Sequence, residues 1–185
     1  LLPHLGHFYR EHPGIRLHLI HGTTPEIIAN LKEGHIDMGV VRMPIDDPQL
    51  EVRESIQLQD CFVAGPRYAE LQNVVLSLDR LLRYPVILFS RNSRARMAIT
   101  ELFQSYGYKL KPQIEVGSVE LLIEFARKGL GISYVTREFV SKELEEGSLF
   151  EIQLEVKLPP SQVGMMIMRG VPLSGSAAKF MELMG

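Results

Sequence analysis

Apolar residues recur along this chain in two rhythms, and the rhythm changes at glycine, proline, serine and threonine. Leu1, Leu2, Leu5 and Phe8 fall on one face of an opening helix that Pro13-Gly14 stops. Ile15 to His21 then alternates Ile15, Leu17 and Leu19 against Arg16, His18 and Ile20, which predicts a strand. Gly22 to Glu26 opens a second helix. Thr24 as its N-cap sets Pro25 at the first helical position, whereas Thr23 as N-cap would complete a Thr-x-x-Glu box with Glu26; the first reading is preferred. That helix turns Ile27, Ile28 and Leu31 inward and ends near Gly34. Ile36 to Val41 follows as a short apolar run, read as a strand covered on both faces. Helix and strand alternating over short turns predict a parallel sheet with right-handed crossovers.

The middle of the chain repeats the scheme. Glu51 to Pro66 is extended, Tyr84 to Ser90 is a strand, and Arg91 to Gly107 is a helix with Met97, Ile99, Leu102, Phe103 and Tyr106 as its apolar side. Gln113 to Gly117 is a strand, and Ser118 to Lys128 a helix capped by Ser118 and stopped by Gly129. Gly131 to Thr136 is a strand and Arg137 to Glu146 a helix. Strands Phe150 to Val156 and Val163 to Arg169, divided by Leu158-Pro159-Pro160-Ser161, precede a last helix from Gly175 to Met184. The fold class that follows is α/β, with two similar lobes, 1-58 plus 161-185 and 59-160. Two extended crossings join them, near Gln57 to Phe62 and near Leu154 to Gln162. A ligand is expected in the cleft between the lobes, facing strand carboxyl ends and helix N-termini. A helix entered in its middle at the first residue leads us to expect a longer chain whose first strand is missing here.

Composition narrows the classes. At 185 residues with 45% hydrophobic and 23% charged residues, the chain is long enough to bury about 70% of its unfolded surface, which argues against disorder. Twenty Lys+Arg against 22 Asp+Glu give net −2, not the basic excess of a nucleic-acid binder. The lone cysteine, Cys61, excludes an intramolecular disulfide framework and fits a reducing compartment. No apolar run reaches about 18 residues, so no transmembrane helix is expected.

Several stretches then point to a family. GTTPEIIANLKEGHIDMGVVR (residues 22–42) resembles the Gly-x-Thr … Leu-x-x-Gly-x-x-Asp-hydrophobic signature of LysR-type transcriptional regulators. LLPHLGHFYREHPGIRLHL resembles the start of their effector-binding domain, and RKGLGISYVT their Gly-x-Gly-Ile strand, with Thr136 where relatives often carry proline. The resemblance implies two Rossmann-like lobes with central sheets joined by two crossover strands, the type 2 periplasmic-binding-protein-like fold. It implies a bacterial, cytoplasmic regulator that senses a small metabolite, with DNA bound only through an N-terminal winged helix-turn-helix beyond the residues matched here. It also implies a homodimer through residues 1-19 and 91-116, and a tetramer in the full-length protein. A solute-binding protein of a transporter shares the two-lobe plan and is the alternative reading.

Candidate chemistry concentrates at helix starts. Thr23 and Thr24, Ser90 to Ser93 including Arg91, and Gly117 with Ser118 each precede a helix whose unpaired N–H groups and partial positive charge suit an anion. Each is equally a plain capping residue. Arg42 ends a strand, where a guanidinium can grip a carboxylate or join an ion pair. Thr136 closes the effector-binding set. Arg91, Arg94 and Arg96 cluster where the helix dipole disfavours cations, which either hints at an acidic ligand or reflects surface solvation. The expected effector is a small anion or carboxylate. His4 and His7, three apart on a helix, could give two metal ligands, but a third and fourth must come from elsewhere. With one cysteine and no His-Glu-x-x-His pattern, these and His12, His18 and His21 read as structural or surface residues, and no metal or other cofactor is expected. Met165, Met166 and Met168 read as core filler, Asp46-Asp47 as turn chemistry and Cys61 as a buried inert thiol. No nucleophile elbow, phosphate-binding loop or dinucleotide fingerprint is present, so no enzyme is expected.

Overall fold

The computed structural model describes residues 2–184, with the backbone alone at Leu2, Pro3 and Glu54. The elements in chain order are α1 (Leu2–Glu11), α2 (Thr24–Lys32), β1 (Gly39–Arg42), β2 (Leu50–Leu58) and β3 (Asp60–Ala64). A 3-10 segment at Pro66–Leu71 leads to β4 (Val75–Leu76), α3 (Leu78–Leu81), β5 (Val86–Phe89), α4 (Arg94–Ser105), β6 (Ile114–Val116) and α5 (Val119–Arg127). Then come β7 (Ile132–Thr136), a 3-10 turn at Arg137–Phe139, α6 (Ser141–Glu145), β8 (Phe150–Leu154), β9 (Ser161–Met168) and α7 (Gly175–Met184). Two compact units result: Leu1–Ile56 with Gln162–Gly185, and Gln57–Ser161.

The first unit holds a three-stranded sheet in the order β1-β9-β2, with β1 antiparallel to β9 in the register Gly39↔Met166 to Arg42↔Val163. Successive residues of β9 serve opposite faces. Met166 packs with Ile27 and Leu31 of α2 and with Val41, while Met165 packs with Phe8 of α1 and Phe180 of α7. The methionines are core residues, as read. Phe8 and Phe180 meet edge to face with ring centroids 5.3 Å apart. Leu1, placed on this helix face from the sequence, lies outside the described residues, as does the side chain of Leu2.

The second unit is built on a six-stranded sheet ordered β4-β8-β3-β7-β5-β6. β5 runs parallel to both β6 and β7, β3 is antiparallel to β7 and β8, and β4 is parallel to β8. Alternation along β3 decides which helix covers which face. Phe62 and Ala64 join Leu88, Tyr134 and the inner residues Ile99 and Phe103 of α4. Cys61 and Val63 join Ile87, Val135 and the inner residues Leu122 and Ala126 of α5. So α4 and α5 sandwich the parallel part of the sheet, each with its N-terminus at the strands' carboxyl ends.

Several expectations need correction. Ile15 to His21 belongs to no sheet: a strand requires a partner for its N–H and C=O groups, and none of the ladders among the described residues includes this segment. Leu19 is accordingly 66% exposed. The expected strand Ile36–Val41 is Gly39–Arg42, antiparallel to β9 rather than part of a parallel sheet, and Val40 faces solvent, so only one face is covered. The helix expected from Arg91 begins at Arg94, and its inner side is Arg96, Ile99 and Phe103, while Met97 and Tyr106 are exposed. Arg137–Glu146 is not one helix, because Val140 (φ −118°, ψ 12°) leaves the helical region between the 3-10 turn and α6. The halves are less alike than expected, since β4, α3 and the 3-10 segment at Pro66–Leu71 occur in the second unit alone.

Candidate functional site

Three helix starts carry the residues singled out from the sequence, and they differ in what already neutralises them. At α2 the cap is Thr23, not Thr24: Thr23 is extended (φ −70°, ψ 159°), Thr24 is the first helical residue and Pro25 the second. The capping box wins because Glu26 folds back on Thr23. Its Oε2 accepts from the Thr23 backbone N–H at 2.6 Å and from the Thr23 hydroxyl at 2.8 Å. These two bonds hold the Glu26 carboxyl below its ordinary value. A carboxylate from the protein itself thus sits at the positive end of α2.

In the second unit, the carboxyl ends of β5, β6 and β7 share one edge of the sheet, and six of the predicted residues gather there. Ser90 follows β5, and its N–H donates to the Val116 carbonyl at 2.9 Å, which ties it to the end of β6. Gly117 follows Val116, and a Cβ placed on it would meet nothing within 4 Å. Ser118 caps α5, its hydroxyl accepting from the Leu121 N–H at 3.2 Å, and Glu120 lies in the first turn. Thr136 ends β7 and is buried, its hydroxyl donating to Asp60 Oδ1 at 2.8 Å. Tyr134 also donates to that carboxylate, through Oδ2 at 3.2 Å. Arg91 is exposed, with Nε 3.4 Å from Glu115 Oε1.

The start of α4 is different in kind. Its cap, Ser93, makes no side-chain cap hydrogen bond, and the first turn contains no acidic residue. The first helical backbone N–H to be answered inside the chain in regular fashion is that of Met97, which donates to the Ser93 carbonyl at 3.0 Å. Arg96, in that same turn, is only 8% exposed. The surface reading of the arginine cluster therefore fails for Arg96 and holds for Arg91. Sequence reasoning also missed Asp60, a buried carboxylate opposite Thr136 in the β3–β7 register. Its one signal is a charge set directly before the apolar run Cys61–Ala64.

Arg42 closes β1 in the first unit, half-buried. Asp47 receives the Gln49 N–H at 3.1 Å and Lys32 Nζ at 2.6 Å, so Asp46-Asp47 is turn chemistry as expected. Cys61 is buried, and burial first, then the nearby Glu151 charge, pushes its thiol up to about 12. No helix among the described residues is long and apolar enough to cross a membrane.

Comparison with known proteins gives a consistent result. The chain is 26% identical over 151 residues to the HTH-type transcriptional activator CmpR of Synechocystis sp. (strain ATCC 27184 / PCC 6803 / Kazusa), covering 82% of this chain and 50% of CmpR. This chain therefore spans about half the length of that relative. Among solved structures, the Synechocystis PCC6803 CcmR regulatory domain in complex with 2-PG superposes with a TM-score of 0.86 at 19% identity, over 99% of this chain and 88% of that one. The effector binding domain of QuiR in complex with shikimate gives 0.81 at 17% identity, over 98% and 87%. These likenesses show the fold, a type 2 periplasmic-binding-like α/β architecture, and the family whose description is LysR substrate binding domain matches residues 1–185 from end to end. The chain belongs to the LysR substrate binding domain family.

Proposed function

We propose that this chain is the metabolite-sensing domain of a LysR-type transcriptional regulator and that its effector is a small anion. The end-to-end family match carries the reading. The chemistry supports the anion: helix starts present backbone N–H groups, and α4 has no acid of its own to answer them. Two structural relatives are complexes with 2-PG and with shikimate, the latter a carboxylate. The family match does not favour a transporter's solute-binding protein, and the family's role is regulation rather than catalysis.

On this reading Thr23, Thr24, Arg42, Ser90, Arg91, Ser93, Gly117, Ser118 and Thr136 are the effector-binding set. Thr136 acts through its bond to Asp60, and Thr24 offers its N–H as the first residue of α2. Residues 1-19 and 91-116 would pair protomers into a homodimer, and DNA would be bound by a separate part of a longer cytoplasmic protein. An effector would shift the regulator between states only by its difference in affinity for them.

A thermal-shift screen against di- and tricarboxylates, aromatic acids, amino acids, sulfate and phosphate tests this. Binding to the native state at a hundredfold excess over Kd adds about 2.7 kcal/mol. A selective rise within one anionic class is expected. No selective rise with any of these anions, alongside a rise with amines or neutral sugars screened in parallel, would refute the anion reading.

A further inference from the structure

Among the described residues, the buried side-chain atom without a hydrogen-bond partner is Arg96 Nη1. A guanidinium is donor-only and stays charged in proteins, so a buried Nη1 lacking an acceptor is a conspicuous feature of a folded chain. Burial pushes the Arg96 pKa down, and the Arg91 charge adds to that, while Glu115 opposes it. Arg91 follows Ser90 and Glu115 precedes Val116; the Ser90–Val116 hydrogen bond joins the two ends, and Arg91 Nε lies 3.4 Å from Glu115 Oε1. Arg96 shares the inner face of α4 with Ile99 and Phe103, and side chains on a helix lean towards its N-terminus. Arg96 lies in the first turn itself, so this lean directs its side chain towards the start of α4.

We propose that Arg96 is the charged ligand for an oxyanion group, carboxylate or phosphate, held at the start of α4. The proposal rests on the reading of this chain as an anion sensor and names the residue that confers the preference. Every group contributed is a donor: the guanidinium, the first-turn N–H groups and the Ser93 hydroxyl, which is not engaged in capping. Such a set suits an acceptor-rich negative group and disfavours a cation or an amine. The first turns of α2 and α5 each carry an acid, Glu26 and Glu120, whereas the first turn of α4 carries none, and the carboxylate nearest it, Glu115, comes from β6 and is 3.4 Å from Arg91.

The test titrates the 185-residue chain with inorganic phosphate in one arm and citrate in the other, at ionic strength fixed with chloride, and follows the melting temperature. Arg96→Met and Arg96→Lys are compared with Lys142→Met, which removes an exposed charge from the same unit. We expect a saturable rise for the native chain in at least one arm. The apparent Kd should weaken about tenfold or more in Arg96→Met, less in Arg96→Lys, and not in Lys142→Met. The arm that responds identifies the oxyanion. Ligand-free Arg96→Met should melt at or above the native chain, since it removes a buried charge without a hydrogen-bond partner. A native chain that responds to an anion together with an Arg96→Met variant of unchanged affinity would overturn the assignment and leave the sensor reading intact. A native chain that responds to neither anion overturns the assignment and counts against the sensor reading too. Should Arg96→Met not fold, Arg96→Lys decides: weakened affinity supports the assignment, and unchanged affinity overturns it.

Discussion

Gly65→Ala isolates one consequence of the second unit's packing, the close approach of the end of β3 to the last turn of α5. Gly65 has φ −91° and ψ 178°, which any residue adopts, so the substitution carries no backbone strain of its own. The added Cβ, however, would lie 2.5 Å from the Ala126 carbonyl oxygen, 2.9 Å from that of Arg127 and 3.1 Å from the Arg127 Cα. All three are backbone atoms of a helix anchored by Leu122 and Ala126 in the core, so no flexible side chain can swing away. Ordinary contact begins at about 3.4 Å, so α5 or β3 must yield by roughly 0.9 Å. Forced displacement in a packed core costs about 1–3 kcal/mol, and backbone on both sides puts this case near the top of the range. In a chain of this size that lowers Tm by about 5–10 °C. Urea denaturation read by far-ultraviolet circular dichroism gives the free energy, with Gly117→Ala as control. Gly117 has open space around its would-be Cβ, so its variant should keep or slightly raise stability. If Gly65→Ala proved as stable as the native chain, β3 and α5 would not approach as described.

Further outcomes follow from the same residues. Cys61 should resist Ellman's reagent at pH 8 until the chain unfolds, since a thiol at about 12 is ionised only to about one part in ten thousand there. Because the folded chain holds that proton to a higher pH than the unfolded chain, whose thiol ionises near 9.0, its contribution to stability is full below 9.0 and declines as pH rises past it. Glu26 shows the opposite sign: its folded value is depressed, so the capping box stabilises fully above about 4.5 and is lost as pH falls below that. Glu26→Gln should flatten that acid limb of the stability profile, and Thr23→Ala should cost about 1 kcal/mol at neutral pH. Phe103→Ala should destabilise by about 3–5 kcal/mol, because its ring is fully buried and meets Phe62 at 6.3 Å. Once an anion hit is found, titration calorimetry of Arg42→Ala should show weakened binding; full retained affinity would remove Arg42 from the effector set.

The elements that the sequence made legible are those whose ends are enforced locally. Ser118 and Gly129 bracket α5 because one supplies a cap oxygen and the other, at φ +71°, a left-handed turn that the chain needs there. α7 likewise runs from Gly175 to Met184 as expected. What failed depends on distant partners. Ile15 to His21 has the alternation of a strand, yet alternation cannot supply the neighbouring chain that a ladder requires. The choice between Thr23 and Thr24 turned on a single carboxylate folding back by three residues. Both caps satisfy the local rule, and only the geometry of Glu26 distinguishes them.

Local and global preferences agree along most of this chain, so the place where they part is informative. A first turn bearing Arg94 and Arg96, with no acid, sets positive charge against the positive end of its own helix. An arginine packed at an Ile99–Phe103 face removes apolar surface from the core and leaves Nη1 without a hydrogen-bond partner. Neither choice helps the chain fold; a methionine at 96 would satisfy the helix, the core and the dipole together. Positions where a sequence breaks several local rules at once are characteristic of functional or strained sites. At α4 the missing partner is an acceptor with negative charge, at the carboxyl edge of the parallel strands where Ser90, Ser93, Gly117 and Ser118 also lie. The cost to folding and the capacity to sense are thus two readings of the same side chain, and Arg96→Met should separate them by raising one and lowering the other.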